Sequence, residues 1–221
     1  MLGLEEVIGL EVISSDARVI GTVEGVGIDL VGWKVRALRV GLRRGMEDLI
    51  GRKRRYFAVD KVYIRTSELQ AVSDAIIMRR PVSAIADAIH PEGEELTPAG
   101  AFMGMRVICC NARFVGNVDN MLIDPENDWS IPFIQVKLER DAMEQLNVHR
   151  TFMGSSLISI RTTDIKAIGD MVMMSVTLDD LKAHLSEQAA LFQRGSQRSE
   201  EAGAEGGDRS EQGVQRQEII R

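Results

Sequence analysis

The chain has 221 residues, of which 44% are apolar and 27% charged, with a formal net charge of −6. That is room for one or two domains with ordinary cores, and the acidic balance gives no general reason to expect nucleic-acid binding. No apolar run reaches the roughly 18 residues needed to span a bilayer. Glu5, Glu6 and Glu11 near the start do not resemble a secretory signal, so a cytoplasmic protein is expected.

In chain order, Val12-Ile13 opens a short strand, Asp16-Ala-Arg18 is turn material, and Val19 to Asp29 reads as a long strand. In it Val19, Gly21 and Val23 alternate with Ile20, Thr22 and Glu24. Gly21 inside the run marks a bulge or barrel corner. Val35, Ala37 and Val40 alternate with Lys34, Arg36 and Arg39 in the next strand, and a final hairpin is expected from Val62–Arg65 and Ala75–Met78. Pro81 to His90 has helical spacing in Val82, Ile85, Ala86 and Ile89, and Pro91 to Pro98 reads as a linker.

The same series then repeats. Gly9 to Asp29 aligns without gaps on Gly104 to Asp124, with nine of twenty-one positions identical. With a one-residue shift Trp33 falls on Trp129, Ile64-Arg-Thr66 on Ile160-Arg-Thr162, Asp74 on Asp170, and Ile76–Met78 on Val172–Met174. A period near 95 residues is a duplicated domain, since solenoid repeats run at roughly 20–50. The second copy brings strands from Val107-Ile108, Phe114–Asp124, Ile131–Leu138, Leu157–Ile160 and Met171–Met174. A helix is expected over Thr177 to Phe192, where Leu178, Leu181, Leu185 and Ala189 form a stripe. Arg194 to Arg216 is too polar to offset ordering entropy, so a disordered tail is expected.

The recurring Val19-Ile-Gly-Thr-Val-Glu-Gly-Val-Gly-Ile-Asp29 and Phe114-Val-Gly-Asn-Val-Asp-Asn-Met-Leu-Ile-Asp124 resemble the PRC-barrel family. So do the closing elements Ile64-Arg-Thr-Ser-Glu-Leu-Gln-Ala-Val-Ser-Asp74 and Ile160-Arg-Thr-Thr-Asp-Ile-Lys-Ala-Ile-Gly-Asp170. The resemblance implies a mainly β chain of two tandem small barrels, each followed by a short helix. The first barrel would occupy 1–80, helix and linker 81–101, the second barrel 102–177, a C-terminal helix 178–193 and the tail 194–221. It also implies interaction rather than catalysis. An all-PRC chain without a membrane helix looks most like archaeal CdpB-like proteins of the division machinery that includes SepF and FtsZ. Expected partners are then a SepF-like protein or another PRC-barrel protein, with recruitment to the division site. Two related barrels in one chain can also form a pseudo-dimer, which makes self-association an expectation.

The sharpest local feature is a basic stretch, Arg43, Arg44, Arg52, Lys53, Arg54, Arg55 and Lys61, suited to an acidic protein segment, anionic lipid or a phosphate backbone. The bland alternative is a solvated loop balanced by Glu47 and Asp48. RNA or ribosome-assembly binding of the RimM type is the competing function, with only Tyr56, Phe57 and Tyr63 near for base stacking. Ile219 and Ile220, in an otherwise polar terminus, are a candidate peptide anchor for adding a strand to a sheet edge. Asp29, Asp124, Asp74 and Asp170 sit where an Asp fixes turns, and with Gly21 and Gly116 they are structural candidates. His90, His149 and His184 lack metal-ligand spacing and read as surface residues. Adjacent Cys109 and Cys110 would be strained as a mutual disulfide and read as plain thiols. No catalytic, cofactor or metal site is expected.

Overall fold

In the computed structural model residues 1–46, 48, 61–90, 96–148 and 156–185 are described. The chain falls into two compact units, Met1–Leu178 and Asp179–Arg221. The first is mainly β and holds both repeats.

An N-terminal arm consists of β1 (Leu2–Gly3) and one helical turn, α1 (Leu4–Val7). The first half continues as β2 (Glu11–Ile13), β3 (Val19–Asp29), β4 (Lys34–Leu42), β5 (Lys61–Arg65), β6 (Leu69–Val72) and β7 (Ala75–Met78). A second arm, β8 (Thr97–Pro98), leads into β9 (Arg106–Ile108), β10 (Phe114–Asp124) and β11 (Ser130–Leu138). Then follow α2 (Arg140–Leu146), β12 (Leu157–Arg161), β13 (Ile165–Ile168) and β14 (Val172–Met174).

The strand order β13-β14-β9-β10-β11-β4-β3-β2-β7-β6 reads as its own mirror about the β11–β4 junction. β5 adds to β4 as β12 adds to β11. Each half is barrel-like because β5 turns directly into β6 through the 3-10 turn Thr66–Glu68, and β12 into β13 through Thr162–Asp164. The buried Thr66 hydroxyl donates to the Val35 carbonyl at 2.9 Å, and that of Thr162 to Ile131 at 2.8 Å, pinning each turn over the same neighbouring strand. Aliphatic side chains fill the interiors, among them Ile20, Val23, Leu38, Ile64, Ile76 and Met78, matched by Val115, Val118, Ile134, Ile160, Val172 and Met174.

Strict alternation along β3 does not hold. Ile20 and Gly21 are both buried, because Val12 faces Gly21 and Ile13 faces Val19, which leaves Ile20 as the extra residue of a bulge. Val115 occupies the same place between Phe114 and Gly116. The bulge presses backbone against backbone. A Cβ on Gly21 would stand 2.1 Å from the Gly41 carbonyl oxygen, and one on Gly116 2.0 Å from that of Lys137. These two glycines are therefore obligatory for steric reasons.

Three further expectations need correction. The closing hairpin is β6 with β7, and β13 with β14; β5 and β12 instead extend the sheet beside β4 and β11. In the turns after β2 and β9 the left-handed residues are Ala17 and Ala112, at φ 59° and 63°, and not the Asp and Asn beside them. Asp16 has another role: its carboxylate accepts the Val82 N–H at 3.0 Å. Residues Val82–Ala88 form a 3-10 helix kinked at Ala84 rather than an α-helix, with Val82, Ile85 and Ala88 buried. The second-copy counterpart is α-helical from 178 over the described residues to 185, and Leu178 and Leu181 are buried there.

Candidate interaction surface

Two strands meet at the centre through reciprocal hydrogen bonds. The Val35 N–H donates to the Trp129 carbonyl at 2.9 Å and the Ile131 N–H to the Trp33 carbonyl at 2.7 Å. Residues Trp33 and Trp129 both adopt positive φ, 48° and 54°, a costly conformation for a bulky residue that both copies keep. Lys34 forms an ion pair across this seam with Asp128, and its ammonium holds the Asp128 carboxyl below the usual carboxylate range.

The two arms cross the seam in opposite senses. Leu2 and Gly3 pair with Ile123 and Leu122 of the second half. Thr97 and Pro98 pair with Ile28 and Gly27 of the first. These positions are related by the repeat offset, so each half donates its leading strand to the other's long strand. The linker expected over Pro91 to Pro98 therefore ends as a sheet strand. The exchange also buries Leu4 and Val7 from one arm, and Ala99 and Phe102 from the other. An isologous interface makes contacts of this kind, here within one chain.

Equivalent architecture carries unequal chemistry. Arg36, Arg39, Arg43, Arg79 and Arg80 of the first half stand where the second has Pro132, Gln135, Glu139, Ser175 and Val176. Arg43 and Arg44 leave β4 exposed, and neither guanidinium has a carboxylate partner among the described residues. Lys61 is held by Glu24 at 2.7 Å. Arg52, Lys53, Arg54, Arg55, Ile219, Ile220 and His149 lie outside the described residues. In the second half the chain leaves β11 through Glu139 into α2, capped by left-handed Asn147.

Two open grooves of about 550 and 480 Å³ lie along the seam, both including Thr66 and Ser67 of the first half and Asp128 of the second. In the larger, Asp29 accepts the Val31 and Gly32 N–H groups at 2.9 and 3.3 Å and pairs with Arg36 at 3.1 Å. Burial raises the Asp29 pKa, but the two N–H groups and Arg36 outweigh it and hold the carboxyl low. Asp124 fixes its turn differently, through its backbone carbonyl and the Asn127 N–H. Asp74 and Asp170 are exposed on the β6–β7 and β13–β14 turns. Val31, 98% exposed, projects from the groove's edge. His90 is buried rather than on the surface, because its N–H donates to the Tyr63 carbonyl at 2.7 Å and draws the chain along β5. His184 is half-buried. Cys109 is buried and Cys110 exposed, and neither forms a disulfide. Among the described residues no group of His, Cys, Asp or Glu could hold a metal ion, and no helix is long and apolar enough to cross a membrane.

No family model and no curated protein matches the chain. Among solved structures, a RimM-type 16S ribosomal RNA processing protein of Pseudomonas aeruginosa is similar to 71% of this chain over 98% of its own length, at 13% identity. The TM-score is 0.27, too low to carry fold or function from that protein to this one.

Proposed function

We propose that the chain is a non-catalytic adaptor: a PRC-type pseudo-dimer that offers two structurally equivalent, chemically different barrel faces to protein partners. The observation that supports this reading best is the pair of exchanged arms, which joins the halves while their outward residues diverge in charge. Arg43 and Arg44, exposed and without carboxylate partners among the described residues, suit an acidic partner segment. The resemblance to CdpB-like proteins directs the search toward a SepF-like division protein, or another PRC-barrel protein, in an archaeal cytoplasm and at its division site. The test is capture of partners by the tagged full-length chain, at low and high salt and with nuclease. Defined proteins that survive both treatments are expected. Recovery of ribosomal material that vanishes under either treatment would replace this reading with RNA binding, whose affinity falls steeply with salt.

A further inference from the structure

The duplication supplies an internal standard, because each half shows what the other could hold. β5 and β12 are equivalent strands, paired with β4 and β11 in the same register, Ile64 opposite Leu38 and Ile160 opposite Ile134. Their outer edges differ. Along β5 the chain returns antiparallel: Ile89 bridges to Ile64, and the His90 N–H donates to the Tyr63 carbonyl at 2.7 Å. The Arg65 guanidinium grips the same segment by donating to the Asp87 carbonyl.

The outer edge of β12 has no such cover among the described residues. Because the register is the same, the Ser159 carbonyl points away from β11 as that of Tyr63 points away from β4. No backbone N–H among the described residues reaches it, and Ile160 has no bridge partner on that side. The Arg161 guanidinium, equivalent to that of Arg65, has no hydrogen bond or ion pair among the described residues. Leu157–Arg161 contains no proline, its pairing with β11 runs without a bulge, and Ser159 and Arg161 are half-exposed. A regular edge with unpaired main-chain groups is where a further strand adds.

We propose that the outer edge of β12 receives an extended segment of a protein partner as an added antiparallel strand. An aliphatic residue of that segment stands opposite Ile160, and an acidic residue two positions before it meets Arg161. The pattern is that of the first half's own occupant, Asp87-Ala-Ile-His90, in which Ile89 stands opposite Ile64. There the Asp87 carboxylate is drawn to Arg80 at 3.8 Å, but Val176 takes the place of Arg80 in the second half. Arg161 is then the cation left for the acid, and a carboxylate is the acceptor a guanidinium binds best. The inference rests on the adaptor reading and deepens it by naming what one face receives.

The experiment is an amide-resolved NMR titration of the full chain with the peptide acetyl-Ala-Asp-Ala-Ile-His-Pro-amide. Saturation below about 10 mM is expected, with the Ser159 and Arg161 amides shifting and those of Tyr63 and Arg65 still. Methylating the peptide's histidine N–H removes the donor for the Ser159 carbonyl and is expected to weaken binding roughly tenfold. Arg161→Gln keeps the fold, since that guanidinium has no partner to lose, and is expected to weaken binding roughly fivefold. No saturation, or unchanged affinity with the methylated peptide or with Arg161→Gln, would overturn the proposal. Residues Glu218-Ile-Ile220 have the same order of acid and aliphatic, so a chain lacking 217–221 is compared as well. If that deletion alone shifts the Ser159 amide, the chain fills its own edge and the partner proposal falls. A flat titration beside successful capture of partners would overturn this inference and keep the adaptor reading.

Discussion

The two halves agree where backbone meets backbone, and their largest differences in charge fall on positions such as Arg36, Arg43 and Glu139. Gly21 and Gly116, Thr66 and Thr162, and Trp33 and Trp129 repeat in identity and in contact. Arg39 against Gln135 and Arg43 against Glu139 repeat in place only. The bulge, the pinned turn and the exchanged arms define the shared architecture, while Arg43 against Glu139 shows that charge at equivalent positions differs.

The comparison breaks most severely if the arms are lost. Removing residues 1–8 strips Leu4 and Val7 from the core and uncovers the β10 edge. Each buried aliphatic contributes roughly 1.5–3 kcal/mol, so a loss of about 4 kcal/mol is expected in urea unfolding. A loss below about 1 kcal/mol would mean the first arm is decorative. Gly21→Val and Gly116→Val should each cost about 3 kcal/mol by overpacking, and by similar amounts, since the opposing carbonyls stand at nearly the same distance. Unequal costs would show that the halves are not energetically equivalent. Thr66→Val and Thr162→Val should each cost about 1–2 kcal/mol, because each removes a buried hydroxyl donor at the turn.

The smallest effect concerns acid. Asp29 has a folded pKa below its ordinary value of 3.8, so its contribution is present above that value and lost as pH falls through the folded one. Asp29→Asn should therefore lower stability near neutrality and flatten its decline below about pH 4. A variant with the wild-type acid profile would sever Asp29 from the turn it caps.

Much of the fold was legible because duplication doubles every signal. Gly21 inside a strand pattern pointed to a bulge, and Gly116 repeated it. The sheet neighbours were less legible. Val62–Arg65 and Ala75–Met78 have the look of one hairpin, yet the shorter return through Leu69–Val72 takes that role. The arms were invisible because two-residue strands carry no periodicity, although extending the alignment back from Gly9 and Gly104 would have set Leu2 on Thr97. The open edge of β12 was missed for a related reason: Leu157–Arg161 looks like Lys61–Arg65 until Ile89 and His90 are seen to line β5. The basic stretch was legible in composition, but the separate fates of its members were not. Lys61 is engaged by Glu24, whereas Arg43 and Arg44 are exposed.

If equivalent positions of the two halves serve partners differently, reversing the charge at those positions changes partner recovery in different ways. Arg43→Glu/Arg44→Glu and, separately, Glu139→Arg would be placed in the tagged full-length chain, and partner recovery compared with wild type after nuclease treatment. The arginine reversal is expected to abolish recovery of at least one defined protein that the Glu139 variant still retains. Identical partner profiles for the two variants and wild type would contradict it.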